Sequence, residues 1–196
     1  MNARKTLLVD YDNRFIWLDG EITAGIAKRF AHMLRKLNRL KCSMIIFYIR
    51  GIGGDFHPAL DMMNAITASD SPVAIVAHDF VNSGCFLITQ AGHHRLALAG
   101  TKFGFHRSVW NFKQNIDLGR HELLEFVERG RVLDTIQLSW FFRKAQSVEE
   151  VFNLFDDEAR IGLKKAKDLG LIDDYYKKED FLKDKKVVNR MLRAIK

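Results

Sequence analysis

The sequence predicts an α/β fold in which parallel strands alternate with helices. Short apolar runs rich in β-forming residues recur through the first half of the chain, and helical segments separate them. Strands that alternate with helices in this way usually pair in parallel and form βαβ units. The chain has 196 residues, which suits one compact domain, so we expect residues 1–196 to fold as a single unit.

The first elements are a strand, a helix and a second strand. Residues 15–18 form a short apolar strand. In residues 23–40 the apolar side chains recur every three to four positions, with basic side chains largely between them, which is typical of an amphipathic helix. Residues 44–49 form an apolar run that is too short for a helix, and this predicts a strand buried on both faces.

Turns rich in glycine or polar residues separate the next elements. Residues 51–55 predict a glycine-rich turn, and a helix with Pro58 in its first turn follows. The remaining segments of the first half are predicted as a buried strand, an apolar helix and two short strands, over residues 73–77, 85–91, 95–98 and 102–106.

The second half is predicted to be mainly helical. Residues 117–144 form one long helix, in which Gly130 marks a point for a kink or break. Residues 147–150 have the form of a capping box, so a new helix begins at Ser147. A further short helix ends at Gly170, and residues 171–172 predict a last short strand.

The chain is basic, with a formal net charge of +7, and much of the excess lies in a tail over about 177–196. A nucleic-acid surface would combine such charge with interleaved aromatic side chains on which bases stack. The tail lacks that pattern, so it predicts a solvated helix and gives no support to nucleic acid as a partner.

The apolar pattern also bears on location. No segment reaches the roughly 18 uninterrupted apolar residues that a membrane span needs. The N-terminal 15 residues lack the apolar run of a secretory signal. We therefore expect a cytoplasmic protein with no membrane partner.

Neither a metal nor a cofactor is expected. Cys42 and Cys85 lie in separate apolar stretches, where buried free thiols are common, and no Cys/His cluster has zinc-ligand spacing. His93 and His94 are adjacent, so in a strand they would point to opposite faces.

Three features carry candidate chemistry. The glycines at 51–54 let backbone N–H groups approach a substrate closely, and such a segment can supply one donor to an oxyanion hole. Ser83 lies between a predicted strand and a predicted helix, with the Gly84 amide beside it. The same position also suits an ordinary helix N-cap. His106 ends a predicted strand, from which an imidazole can take the proton of a neighbouring hydroxyl.

Taken together in this order, the features resemble the Clp protease proteolytic subunit family. The resemblance rests on residues 47–54, on Asn82-Ser83-Gly84 with the apolar helix after it, and on Gly104-Phe105-His106. Residues 146–147 and 169–173 match the family's last third.

The resemblance implies a crotonase-like, ClpP-like fold: a ββα superhelical core of parallel sheets, a long handle helix at about 117–144 and a helical C-terminus. It implies a serine peptidase with Ser83 as nucleophile, His106 as base, and the amides of Gly54 and Gly84 as the oxyanion hole. It also implies homo-oligomeric rings that receive unfolded chains or peptides from a partner AAA+ ATPase.

The chain departs from the family at the third member of the triad. An ungapped register places Leu154 at the family's aspartate position, and leucine cannot orient an imidazole. Asp156 is the predicted replacement, with Asp157 as the alternative. Lys102 is a second candidate base, since related peptidases of this fold use a serine–lysine pair.

The missing aspartate leaves other functions open. A catalytically weak or inactive ClpP-like subunit could act as a scaffold or partner. A relative that acts on acyl-coenzyme A is a third reading, because a fold alone does not determine function.

Overall fold

The computed structural model describes residues 6–109 and 119–194. Within these two ranges eight strands and seven helices follow one another along the chain. The strands are β1 (Thr6–Asp10), β2 (Phe15–Ile22), β3 (Ile45–Gly54), β4 (Val73–Asn82), β5 (His94–Ala97), β6 (Lys102–Gly104), β7 (Arg160–Gly162) and β8 (Asp174–Tyr175). The helices are α1 (Ala24–Leu40), α2 (Phe56–Thr67), α3 (Gly84–Thr89), α4 (Arg120–Phe142), α5 (Val148–Asp156), α6 (Leu163–Asp168) and α7 (Lys178–Ala194).

The strands form one mixed sheet in the order β1-β2-β3-β4-β5-β8. β2, β3, β4, β5 and β8 pair in parallel, whereas β1 runs antiparallel to β2 at the edge. Beyond the end of β5, the C-terminal part of β4 pairs in parallel with β6, and β6 pairs antiparallel with β7. The predicted α/β fold of parallel strands and helices is confirmed.

Helix α1 shows how the pattern of apolar residues produces this packing. The Thr23 side chain accepts a hydrogen bond from the Ile26 backbone N–H and caps the first turn. Ile26, Phe30, Leu34 and Leu37 are buried and recur at helical spacing. They join the main core, which α2 and α3 complete on the same side of the sheet.

The opposite face of the sheet is covered by α7. Phe181 and Val188 of this helix are buried against Trp17, Tyr48 and Val76, which belong to the central strands. The central strands are therefore buried on both faces, which explains why residues 45–49 read as a continuous apolar run. Residues 178–194 of the basic tail predicted at about 177–196 thus form a helix that packs on the sheet with one face.

Two predicted element boundaries in the first half were wrong. Residues 51–54 belong to β3 and do not form a turn: Gly53 and Gly54 pair with Glu21 and Ile22 of β2. β6 ends at Gly104, so His106 lies just beyond the strand and does not close it.

Predictions for the second half are mostly confirmed. α4 accounts for the long predicted helix, although residues 117–118 of that prediction lie outside the described residues, and it continues through Gly130 without a break. Ser147 caps α5 by accepting a hydrogen bond from the Glu150 N–H, as predicted. The strand predicted at 171–172 was wrong, because both backbone N–H groups there bond to the Ala166 carbonyl at the end of α6.

The two cysteines differ in their surroundings. Cys85 is buried, as expected, but Cys42 is exposed, because it lies in the turn after α1 and not in the following strand. Within the described ranges no group of three or more His, Cys, Asp or Glu side chains is placed to hold a metal ion. Of the helices in these ranges, none is long and apolar enough to cross a membrane.

Candidate active site

A cleft of about 690 Å³ opens at the carboxyl ends of β3 and β4. Ligands of open α/β sheets commonly bind at this end of the strands. Four residues predicted from the sequence line the cleft together: Gly54, Ser83, Gly84 and His106. The other lining residues are Glu21, Ala24, Ile52, Asp55, Phe56, His57, Pro58, Ser108, Val109, Leu133 and Gln137.

Ser83 occupies a strained turn between β4 and α3. Its φ of 52° is in the left-handed region, which a non-glycine residue rarely adopts. Two backbone hydrogen bonds hold the turn: the Ser83 N–H donates to the Gly104 carbonyl at 2.9 Å, and the Ser83 carbonyl accepts from the Leu87 N–H at 2.9 Å. The hydroxyl makes no capping bond to α3, so the ordinary N-cap reading of Ser83 does not apply. Strain of this kind clusters at functional sites.

The end of β3 packs against this turn in a way that only glycine allows. Gly53 has a φ of +106°, and a Cβ there would lie 2.6 Å from the Ser83 Cβ and 2.9 Å from its Oγ. Gly54 has a φ of +144°. A Cβ added to Gly84 would lie 3.7 Å from the backbone nitrogen of Gly54. The amides of Gly54 and Gly84 therefore belong to the same wall of the cleft as Ser83.

His106 follows β6 and is half-buried in the same cleft. Its Nδ1 lies 2.6 Å from the Arg107 carbonyl oxygen. Because a carbonyl only accepts hydrogen bonds, this contact assigns the proton to Nδ1 and leaves Nε2 free to accept one. Within residues 6–109, which hold both side chains, no hydrogen bond joins Ser83 Oγ to the imidazole.

This geometry agrees with the comparison of the chain with protein families. The family model described as Clp protease matches residues 3–179. The chain belongs to the Clp protease family.

A solved structure supports the same fold. A mutant ClpP1 from Listeria monocytogenes superposes on this chain with a TM-score of 0.74 and 19% sequence identity. The match covers 87% of this chain and 95% of the Listeria chain. The ClpP-like, crotonase-type architecture predicted from the sequence is confirmed. No curated protein sequence matches the chain.

In the described residues neither of the two acids predicted from the sequence contacts His106. Asp156, at the end of α5, forms an ion pair with the Arg107 side chain, which also lies 3.9 Å from Asp134. Neither Asp156 nor Asp157 lines a described cavity that contains His106. Leu154 is half-buried and packs against the core. Asp156 as the orienting acid therefore stays a prediction.

Lys102 is also placed by the structure. It is exposed on β6 and does not line the cleft that holds Ser83. The alternative of a serine–lysine pair gains no geometric support from this position.

His106 also lines a second cavity, of about 360 Å³. Glu158 and Arg160 line it together with His106, Asn82 and Gly104. Sequence reasoning did not select Glu158 or Arg160. The pairing of β6 with β7 brings these two residues to the cavity, and the sequence does not reveal that pairing.

The buried thiol of Cys85 lies two residues after Ser83 but does not compete with it. Complete burial raises the pKa of Cys85 to about 12. The reactive form of cysteine is the thiolate, so this side chain is inert at neutral pH. Ser83 therefore stays the predicted nucleophile.

Proposed function

We propose that this Clp protease is a serine endopeptidase that hydrolyses peptide bonds of unfolded proteins or peptides, with Ser83 as nucleophile and His106 as general base. The observation that carries the proposal is the strained Ser83 turn, packed against Gly53, in one cleft with His106. Membership of the Clp protease family supports the same chemistry.

The reaction would follow the serine protease pattern. Ser83 Oγ attacks the scissile carbonyl carbon while His106 Nε2 takes the hydroxyl proton. The new C–O bond moves the carbonyl electron pair onto oxygen, where the amides of Gly54 and Gly84 stabilise the charge. The C–N bond then breaks as His106 returns its proton to the leaving amine. Water hydrolyses the acyl-enzyme by the same route.

The absence of a Ser83–His106 hydrogen bond in the described site is compatible with this chemistry. Catalytic hydrogen bonds are often long in unliganded sites and tighten when substrate binds. His106 lies beyond the end of β6, in a segment whose backbone is not held by strand pairing to β4.

Assembly into a homo-oligomeric ring is part of the proposal. Four large apolar side chains of α4 are more than half exposed. They are Leu123, Leu124, Val127 and Val132. The family's handle helices pack protomers together, so we assign these side chains to contacts with other copies of the chain. An AAA+ ATPase partner and a cytoplasmic location complete the proposal and rest on family membership alone.

Covalent labelling tests the nucleophile. The wild-type protein is expected to react with a fluorophosphonate probe and to degrade a denatured, fluorescently labelled protein, and Ser83→Ala is expected to lose both activities. Ser108→Ala is the matched control, because Ser108 lines the same cleft. Labelling that persists in Ser83→Ala, or that disappears equally in Ser108→Ala, would refute the assignment.

A scaffold without activity is the second candidate. It is favoured by one observation, the His106 Nδ1 contact with a backbone carbonyl in place of a carboxylate. This function predicts a stable oligomer that neither reacts with the probe between pH 6 and 9 (about one unit or more either side of a working imidazole) nor degrades the denatured protein.

A further inference from the structure

The pairing of β6 with β7 places one acidic residue opposite His106. The antiparallel register pairs Lys102 with Gly162, Phe103 with Ile161, and Gly104 with Arg160. The pairing continues one step past the assigned strands, because the Phe105 N–H donates to the Ala159 carbonyl at 3.0 Å.

One residue further along each segment, this register leads to His106 and Glu158, which both lie just outside the assigned strands. The two side chains also line the same 360 Å³ cavity. The register and the shared cavity therefore place Glu158 near His106.

The hydrogen bonds of the described residues single out Glu158 further. Its φ of 51° belongs to the turn that ends α5, where the Glu158 N–H donates to the Phe155 carbonyl and the Ala159 N–H donates to the Leu154 carbonyl. Within residues 6–109 and 119–194, its carboxylate has no hydrogen bond and no ion pair. The carboxylate of Asp156, by contrast, is occupied by Arg107.

We propose that Glu158 is the acid that positions His106 in this Clp protease, in the place that the sequence analysis assigned to Asp156. In the working site the Glu158 carboxylate accepts the Nδ1–H that now bonds to the Arg107 carbonyl. It holds the imidazole with Nε2 toward Ser83 and stabilises the imidazolium that forms when Ser83 loses its proton. The inference deepens the proposed peptidase function and rests on it for its catalytic consequence.

Other charged groups also lie near His106, and the test must distinguish their effect on His106 from that of Glu158. On the main cleft these are Glu21 from β2, and Asp55 and His57 at the start of α2. On the second cavity Arg160 of β7 lies beside Glu158. The neighbouring Arg107 is paired with Asp156 and lies near Asp134.

The first experiment compares the three consecutive acids. Glu158→Gln is expected to lower kcat for a fluorogenic peptide by about 10²- to 10⁴-fold with KM changed less than about twofold, as when a triad acid is neutralised. Glu158→Asp keeps the charge and is expected to recover part of the loss. Asp157→Asn and Asp156→Asn are the matched controls and are expected to retain most activity. Full activity in Glu158→Gln, or an equal loss in Asp156→Asn, overturns the proposal.

A second measurement tests the contact between Glu158 and His106 without relying on catalysis. Diethyl pyrocarbonate modifies neutral imidazole, and mass spectrometry gives its rate at His106 as a function of pH. Because a carboxylate favours the charged ring, the pH of half-maximal rate is expected to fall in Glu158→Gln and to stay at the wild-type value in Asp157→Asn.

The two measurements distinguish the possible failures. If the wild-type protein hydrolyses no peptide, the peptidase function is contradicted. A shifted modification profile in Glu158→Gln would still support the contact between Glu158 and His106. An unshifted profile contradicts the contact itself. Thermal unfolding of each variant checks that the fold is retained.

Discussion

At the scale of single residues, the candidate site depends on close contact between two backbone segments. In the described part of the chain the Ser83 hydroxyl makes no hydrogen bond to α3, and Ser83 has a φ of 52° in the turn before that helix. Gly53 packs so closely against Ser83 that no side chain fits at its position. Backbone packing thus fixes the position of Ser83, the proposed nucleophile.

Gly53→Ala tests this packing. The added methyl would meet the Ser83 side chain at 2.6 Å and would also require a φ of +106°. We expect loss of fluorophosphonate labelling at Ser83 and a decrease of about 1–3 kcal/mol in the free energy of unfolding.

Gly100→Ala is the matched control for that experiment. Gly100 also has a positive φ, +86°, but has no atom within 4 Å of the added methyl. It is expected to show backbone strain of about 1 kcal/mol and unchanged labelling. Equal labelling in both variants would show that contact between Gly53 and Ser83 does not matter for the site.

At the scale of elements, α7 decides whether the second face of the sheet is buried. The centroid of the Phe181 ring in this helix lies 5.5 Å from the ring centroid of Trp17 and 5.0 Å from that of His78. Asp184 of the same helix accepts a hydrogen bond from the Tyr48 hydroxyl at 2.6 Å. Helix and sheet are therefore joined by aromatic packing and by a partly buried polar contact.

His78 makes this junction sensitive to acid. The side chain is 1% exposed, and burial lowers its pKa from 6.5 to about 4 although Asp79 opposes the shift. The unfolded chain binds a proton at this histidine below about pH 6.5, whereas the folded protein keeps the ring neutral down to about pH 4. The stability from this group is complete above pH 6.5 and declines as the pH falls toward 4.

His78→Phe tests the sign and size of this effect. Between pH 8 and pH 5, wild-type protein is expected to lose about 2 kcal/mol more unfolding free energy than the variant, as measured by denaturant titration. His121→Phe is the control, because the His121 side chain is 88% exposed, and it is expected to behave as wild type. Parallel pH curves for wild type and His78→Phe would contradict the buried neutral state.

At the scale of the whole molecule, α4 extends from the core and exposes an apolar surface. Its C-terminal end is anchored by Phe141, which is buried against Phe86 and Phe105. Its N-terminal half is exposed, including Leu123, Leu124 and Val127. Contiguous exposed apolar side chains are typical of a surface that another protein covers.

Leu124→Glu tests the assignment of this surface to ring contacts. We expect the variant to sediment as a smaller species than wild type, because a charge in an apolar interface is costly. Leu182→Glu, at an exposed leucine of α7, is the control and is expected to assemble normally. An unchanged oligomer in Leu124→Glu would exclude this face of α4 from the assembly.

The sequence by itself determined the order of most strands and helices and the candidates Ser83 and His106. These depend on local patterns: apolar spacing predicted α1, a capping sequence predicted the start of α5, and a serine between strand and helix predicted the turn. The end of β3 was misread, because glycines that usually form turns are here retained in a strand by their pairing with β2.

Tertiary structure alone decided what stands opposite His106 and what covers the sheet. Glu158 and His106 line one cavity because β6 pairs with β7, two segments far apart in the chain, and no local propensity encodes such a register. In the same way, the charged sequence of α7 resembles a solvated helix until its few apolar residues meet the aromatic face of the sheet. Local interactions select the elements, whereas long-range packing selects their partners, and the chemistry of this site depends on the partners.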